Sequence, residues 1–461
     1  DMAGLFDTLS IGSRSLQTYR RAIDTAGHNL ANVNTAGYTR QRLAIESVAY
    51  DSTGAGAEAT RIERLQNEFA QTQLRVESSV EGSLEVKDDT LRQALSALQE
   101  TIDRNSETGT TTNGLSQKLG DFFNSLQSLS TNPSSIPERN VVLQKARDLA
   151  SKFNQVDQRL ASLESDLNVR ISGDTTKANA LLAQIAELNK RIAGDEADGQ
   201  GFANDLRDSR QTKIEELAKI VKLEAFEQEN GAVNIVVGGQ ALVDSINVTG
   251  TLETFDPGDG GLLVRIAGQP GALDITGGSI EGAISIRDGQ LAQVRADINS
   301  LATLFISEVN AVHENGFGLL GSTDEPFFTG TNAGNIAVNA QLLRNPSLLQ
   351  ASSASDAAGN NTTLLALIAL ERKAHASLNG QTFSSGHTQT VARLAQEVST
   401  ARTDLQDQQA ITRFVRSQRD AVSAVSIDEE MANLVMFQKA FQASAKLISM
   451  TDEMLATIIG M

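Results

Sequence analysis

The sequence has no cysteine and no tryptophan. A disulfide scaffold, a thiolate metal site and a cysteine nucleophile are therefore excluded. Histidine is scarce, with only His28, His313, His375 and His387. His313-Glu314 lacks a second histidine at HExxH spacing, so the residues do not suggest zinc. Ser384-Ser385-Gly386-His387 offers neighbours in sequence, not a triad with an orienting acid. A GxxxxGK[ST] phosphate loop is missing as well, and Asp256-Pro257-Gly258-Asp259-Gly260-Gly261 lacks the spacing and closing glutamate of a calcium loop, reading instead as a solvated turn. These absences argue against an enzyme, a cofactor and a metal. No run of about 18 apolar residues occurs, so no membrane-spanning helix is expected. The N-terminus lacks the apolar core of a cleaved signal, so a secreted destination would use an uncleaved route. Lysine and arginine number 39 against 57 acids, a formal charge of −18. That balance disfavours nucleic acid and an anionic membrane surface, which both select clustered cations.

Proline is confined to the interior: all six lie between Pro133 and Pro346, leaving both ends free to be helical. At the start, Leu5, Leu9, Gly12, Leu16, Tyr19, Ile23, Ala26, Leu30 and Val33 recur in alternating steps of four and three. That is a heptad seam. The far end repeats it with Phe437, Phe441, Ser444, Ile448, Thr451, Leu455 and Ile458, widened by Ala440, Leu447 and Met454. Each segment would span about 50 Å at 1.5 Å per residue. Asn32, Asn34, Thr35 and Gly37 supply the first helix with a stop, and Ser426 or Asp428 can cap the second. Residues 1–42 carry five Arg against three Asp, whereas residues 428–461 carry two Lys against five acids. Pairing of the ends is permitted in either direction. A heptad stripe is most often a buried bundle helix. Here the stripes occupy the extremities, and Phe6, Ile11, Met431, Val435 and Ile459 would remain as apolar flanks that call for neighbouring subunits.

Between the ends the pattern is first helical. Leu65, Phe69, Val76, Leu91, Leu95, Leu98 and Ile102 suggest a helix from Arg61 to about Asn105, broken by Thr108–Gly114. Leu115 to Leu129 resume the rhythm. A long seam from Ala146 to Ile192 follows, with a disturbance expected at Gly173. Thirteen of the 36 glycines then fall between Gly231 and Gly289, and alternation replaces helical spacing at Val233, Ile235, Val237 and at Leu262, Val264, Ile266. Asn230-Gly231 reads as a type I′ hairpin turn. Helical spacing returns from Leu291 to Val309 and again beyond Thr388. The expected fold is mainly α with a small inserted β domain. Residues 1–42 with 428–461 would form a terminal coiled coil, 43–221 with 287–427 a long-helix body, and 222–286 a β-rich outer domain.

A resemblance narrows this. Gly4-Leu5-Phe6-Asp7-Thr8-Leu9, continued by Ala26-Gly27-His28-Asn29-Leu30-Ala31-Asn32-Val33-Asn34-Thr35-Ala36-Gly37-Tyr38-Thr39-Arg40, closely resembles the start of the flagellar hook-associated protein 1 family. The C-terminal run from Ser426-Ile427-Asp428-Glu429-Glu430-Met431 through Phe437-Gln438-Lys439-Ala440-Phe441 to Asp452-Glu453-Met454-Leu455 resembles the same family's end. Asn29, Leu30, Ala31, Asn32, Asn34, Thr35, Gly37 and Tyr38 look like the motif shared across the rod, hook and hook-associated axial superfamily. The middle is similar mainly in layout, with Asn310-Ala311-Val312-His313 as a local echo. The resemblance implies a non-enzymatic structural subunit at the hook–filament junction, secreted and extracellular. It implies terminal helices that pair and line the inner tube, with Leu9, Leu16, Ile23 and Leu30 facing Phe441, Ile448 and Leu455. Implied partners are other copies of the chain, the hook protein, the second hook–filament junction protein, an export chaperone on the C-terminal helix, and the flagellar type III export apparatus. A hook or distal-rod protein is the alternative within the class. An exported hydrolase carried on such a scaffold would need a convergent acid or His pair in 222–360, and none is evident.

Overall fold

The computed structural model describes residues 2–50, 53–98, 114–197 and 203–459. Helix α1 (Met2–Ala31) leads into a long antiparallel hairpin of β1 (Gln41–Tyr50) and β2 (Thr53–Arg64). Four helices follow: α2 (Glu68–Ala97), α3 (Leu115–Thr131), α4 (Ile136–Glu196) and α5 (Asn204–Ile220). A meander of β3 (Glu224–Glu227), β4 (Val233–Val237), β5 (Gln240–Asp244) and β6 (Asn247–Val248) then gives way to a hairpin of β7 (Leu252–Phe255) and β8 (Leu263–Ile266). Helix α6 (Gly278–Ile286) joins α7 (Ala292–His313) through a π turn at Arg287–Leu291. Short strands β9 (Phe328–Thr329) and β10 (Ala337–Val338), with α8 (Ala340–Arg344) and α9 (Thr362–Ala369), fill the next stretch. The chain ends with α10 (Phe383–Ser423) and α11 (Ile427–Ile459). The molecule is thus mainly α with small β sheets.

The body core is dry and aromatic. Phe122, Phe153, Phe305, Phe327, Phe328 and Phe383 are buried, and their rings meet edge-on or tilted, Phe122 and Phe305 with centroids 5.7 Å apart. Helix α4 is the body's spine, 61 residues long and so roughly 90 Å. The disturbance expected at Gly173 does not occur, because Leu167, Ile171, Ala178 and Leu181 are buried on either side of it. That burial outweighs the roughly 1 kcal/mol a helical glycine costs.

Other expectations are corrected. Residues 41–64 form a hairpin instead of belonging to the helical body, and the helix expected from Arg61 starts at Glu68, capped by Asn67. Phe69 and Val76, counted on its apolar seam, face outward; Ile102 and most of the break at Thr108–Gly114 lie outside the described residues. The type I′ turn sits at Gly238-Gly239, where φ is +56° and +76°, joining β4 to β5 directly. Asn230 has no positive φ; it lies in a longer loop in which Gly231 N donates to Gln228 O. Helix α6 occupies the last residues of the stretch expected to be β.

One device recurs wherever an extended segment crosses a helix. An asparagine on the helix accepts from and donates to the backbone of the passing chain. Asn189 does so with Val233 (3.1 and 2.8 Å), Asn179 with Leu252 (2.8 and 2.7 Å), and Asn310 with Phe328 (2.9 and 2.8 Å). Each satisfies a peptide group that no strand partner reaches.

Candidate assembly interface

Helix α1 packs along α11. Its direction follows from two contacts: Gly12 lies against Ile448, where an added Cβ would come within 2.7 Å of Ile448 Cγ1, and Asn29 bonds Glu430. Moving up one helix moves down the other, so the ends pair antiparallel. Leu5, Leu9, Leu16, Ile23 and Leu30 are only half-buried, as are Phe437, Phe441 and Ile448. Leu455 is buried and Ile458 is 45% exposed. The buried face of α1 is instead made of small residues, Gly12, Thr18, Ala22, Thr25, Ala26 and Asn29. The hairpin lies over α1 too, with Thr18 Oγ1 donating to Ala57 O at 3.3 Å. Small side chains let the helix sit between two layers.

At the inner end of this pair the motif residues form one hydrogen-bonded lock. Asn29 uses all four of its amide hydrogen-bonding positions. Oδ1 accepts from Tyr38 Oη (2.8 Å) and Gln41 N (2.9 Å), and Nδ2 donates to Gln41 O (2.8 Å) and Glu430 Oε2 (3.2 Å). This is the asparagine clamp of the body, extended to a second helix. Because the Tyr38 hydroxyl donates to Asn29, His28 Nδ1 is left as its donor at 3.0 Å. Arg40 closes the other side, with Nε 2.7 Å from Glu430 Oε1 and a terminal nitrogen 2.6 Å from Glu429 Oε2. Glu430 is itself buried, so its charge is held by hydrogen bonds from both chain ends.

Asn32 and Thr35 bend the chain out of α1: Thr35 Oγ1 donates to Asn32 Oδ1 at 3.1 Å, and Tyr38 N donates to Thr35 O at 3.2 Å. Gly37 then takes φ +80°, which favours glycine, and packs against Thr212 of α5. Asn34, Thr35 and Gly37 are exposed, as is Ala31, so the motif splits into an inward Asn29–Tyr38 half and an outward turn.

The lock also reaches the body. Thr39 N (2.8 Å) and Arg64 (2.9 Å) both donate to Asp208, and Asn204 and Asp205 hold the Gln41 side chain at 3.3 and 3.2 Å. Burial pushes the Asp208 carboxyl above the usual range despite those donors. The Tyr38 phenol is raised as well, first by burial and then by Asp205, Asp208 and Glu430, so it remains a donor at neutral pH. Arg40, Glu430, Asp205 and Asp208 were not singled out from sequence. The excess of Arg at one end and of acids at the other was the available signal.

Outside the seam the pair is unfinished. Phe6, Met431, Val435, Met436, Met450 and Met454 are each about half exposed, near 50%. Ile11 is half-buried, and the side chain of Ile459 lies outside the described residues. No helix among the described residues is long and apolar enough to cross a membrane, and no cluster of His, Asp or Glu there could hold a metal ion.

A chain whose two ends zip into one antiparallel pair, locked onto a helical body and left apolar outside, has the layout of a flagellar axial protein. Three sequence families match in order: "Flagella basal body rod protein" over residues 9–39, "Flagellar hook-associated protein FlgK helical domain" over 101–328, and "Flagellar basal body rod FlgEFG protein C-terminal" over 416–461. The chain is similar throughout to the flagellar hook-associated protein 1 family. Its relatives include flagellar hook-associated protein 1 of Bacillus subtilis, 28% identical across all of this chain and 99% of that one. The Escherichia coli protein is 27% identical over 74% of this chain and 64% of its own length. That of Salmonella typhimurium is 28% identical over 68% and 58%. The solved hook junction protein FlgK of Burkholderia pseudomallei is 24% identical, with a TM-score of 0.47 over 56% of this chain and 46% of that one.

Proposed function

We infer that the chain is a structural subunit joining flagellar hook to filament, added to the axial tube through its paired terminal helices. The observation that carries this is the locked but unfinished α1–α11 pair. Its inner side is fixed by Asn29, Tyr38, Arg40 and Glu430, while its outer side leaves a methionine-rich stripe exposed. Flexible methionines adapt to more than one surface, which suits a subunit that meets a different protein on each side. The rod-type ends alone would fit a hook or distal-rod protein equally well. The matched helical domain between them favours the junction.

On this reading the partners are further copies in a layer, the hook protein below and the second junction protein above. The export apparatus would deliver the chain to an extracellular site, and a chaperone would cover the stripe on α11 before assembly. Leu5, Leu9, Leu16, Ile23, Leu30, Phe437, Phe441, Ile448, Leu455 and Ile458 then act as seam residues.

Phe441→Asp or Leu16→Asp should leave the body folded, by circular dichroism, yet prevent addition at hook tips. Normal addition of both variants would sink the terminal-helix mechanism. Deleting residues 428–461 should abolish chaperone capture; unchanged affinity would remove that partner.

A further inference from the structure

Two phenylalanines outside the terminal pair stand in water. Phe69 on α2 is 77% exposed and Phe414 on α10 is 62% exposed, the largest such values among the exposed aromatics of the described residues. Their helices run antiparallel, because Gln408 Nε2 bonds Glu77 of α2 at 2.7 Å, while Arg40 links the start of α2 to the end of α10 through Leu65 N and Ser423 O. Phe414 lies six residues past Gln408 and so comes level with Phe69. At 3.6 residues per turn, Phe69, Val76 and Val80 share one sector of α2, and Ile411 and Phe414 flank the contact on the same side of the pair. That side is turned away from α5, which Arg419 of α10 reaches through Glu215 at 3.0 Å. Val76, Val80 and Ile411 are about 40% exposed. The result is an apolar strip with the two rings at one end. At its other end stand Asp404 and Asp407, exposed and in no ion pair among the described residues.

A complementary surface exists on the chain itself. The outer face of α1 carries Phe6 near its start and Arg20 and Arg21 past its middle. Both arginines are exposed and form no ion pair among the described residues. Phe6 and Arg20 are fourteen positions apart, almost four full turns, so they share a face and stand about 21 Å apart. Phe414 and Asp404 are about 15 Å apart by the same measure, a difference that an extended arginine side chain spans. The strip and the α1 face therefore match in order, with ring against rings and cations against acids. One copy cannot bring them together, because its α1 is pinned to its own α11 by the lock. The chain carries a net −18, whereas α1 holds three arginines against two aspartates, so the Arg20–Arg21 pair is an uncommon cationic feature for a neighbour to meet.

We propose that the α2–α10 strip is a second contact between copies, in which Phe69 and Phe414 receive Phe6 of a neighbouring chain, and Asp404 and Asp407 pair with its Arg20 and Arg21. This takes from the proposed function only that the partner is another copy. The contact is heterologous, and such contacts continue around a ring or along a helix instead of closing as a dimer. It would also set the tilt of the body against the next inner tube segment.

The absence of native cysteine makes the test clean. A full-length chain carrying Phe6→Cys and Phe414→Cys is added to hook tips and, separately, concentrated in solution, then mildly oxidised. Crosslinked multimers should form, while each single-cysteine chain gives none. Asp404→Arg with Asp407→Arg in the double-cysteine chain should lower the yield at least fivefold, and adding Arg20→Asp with Arg21→Asp should restore it. Circular dichroism confirms that each variant is folded. Normal addition at hook tips with no crosslink there or in solution overturns the contact, as does a yield indifferent to the charge reversals. Crosslinking in solution by a chain that never enters hook tips upholds the contact and counts against the proposed function instead.

Discussion

The body and the terminal pair are both helical, yet they are built by opposite means. In the body, Phe122, Phe153, Phe305 and Phe383 are sealed among themselves, and Leu149, Leu160, Ile185 and Ile192 are buried along the spine. In the terminal pair almost every large seam residue keeps part of its surface in water, and apart from Leu455 and Glu430 the buried positions are glycine, alanine, threonine and asparagine. The first region draws its stability from apolar area removed from solvent within one chain. The second has direction and register, fixed by the Asn29–Glu430 lock, but leaves much of its apolar area in water. On the proposed function, such a subunit has a body complete within one chain and ends that neighbouring subunits complete.

The widest separation between the two regions should come from truncating one large side chain in each. Phe305→Ala removes a ring that touches five other aromatic rings, and should cost about 3–5 kcal/mol in the isolated chain. Leu16→Ala, half-buried on α1, should cost under about 1.5 kcal/mol. Urea unfolding of the two variants measures the difference. Equal losses would mean that the terminal pair is as complete in the monomer as the body is.

A smaller effect sets a pH limit on the body alone. His313 is fully buried, with Nδ1 donating to Glu325 O at 2.7 Å and Nε2 accepting from Gln350 N at 3.0 Å. A proton on Nε2 would face that N–H. Burial first, and then Arg139, lower its pKa from 6.5 to about 4. Between those values the unfolded chain binds a proton that the folded chain refuses. Stability is therefore fully present above about pH 6.5 and falls as pH drops towards 4, by about 3 kcal/mol. His313→Gln should flatten that part of the profile in denaturant titrations. An unchanged slope would place the acid sensitivity outside His313.

The same contrast governs what the sequence could reveal. The helices of the ends, the α3 and α4 seams and the alternation of Val233, Ile235 and Val237 were legible, because burial repeats with the period of the element. The β1–β2 hairpin was not. One of its faces rests on α1 and the other is exposed, and it runs without a break into the helical spacing of Leu65 and Phe69. The direction of the terminal pair was also hidden, since both charge patterns and heptads allowed either. It is decided by Asn29 reaching Glu430, 401 positions away. Motif residues could be recognised one by one, but the reason Asn29 stands there, four hydrogen bonds to three different partners, exists only once the chain has folded.

The smallest effect is the sharpest comparison, because it uses one residue type in both regions. Gly173 lies in the middle of α4, and an added Cβ there would meet nothing within 4 Å. Gly173→Ala should stabilise the body by about 0.5–1 kcal/mol, through helix propensity and a less flexible unfolded chain. Gly12→Ala gains the same propensity in α1, yet its Cβ would sit 2.7 Å from Ile448 Cγ1 and 3.2 Å from Leu447 Cδ2. The two helices must then move apart, and the half-buried seam has little further contact with which to offset the loss. Thermal melting should rise for the first variant, whereas amide exchange in α1 and α11 should accelerate for the second. Should Gly12→Ala protect α1 instead, the pair would be loose enough to absorb a methyl group, and its register would rest on the Asn29 lock alone.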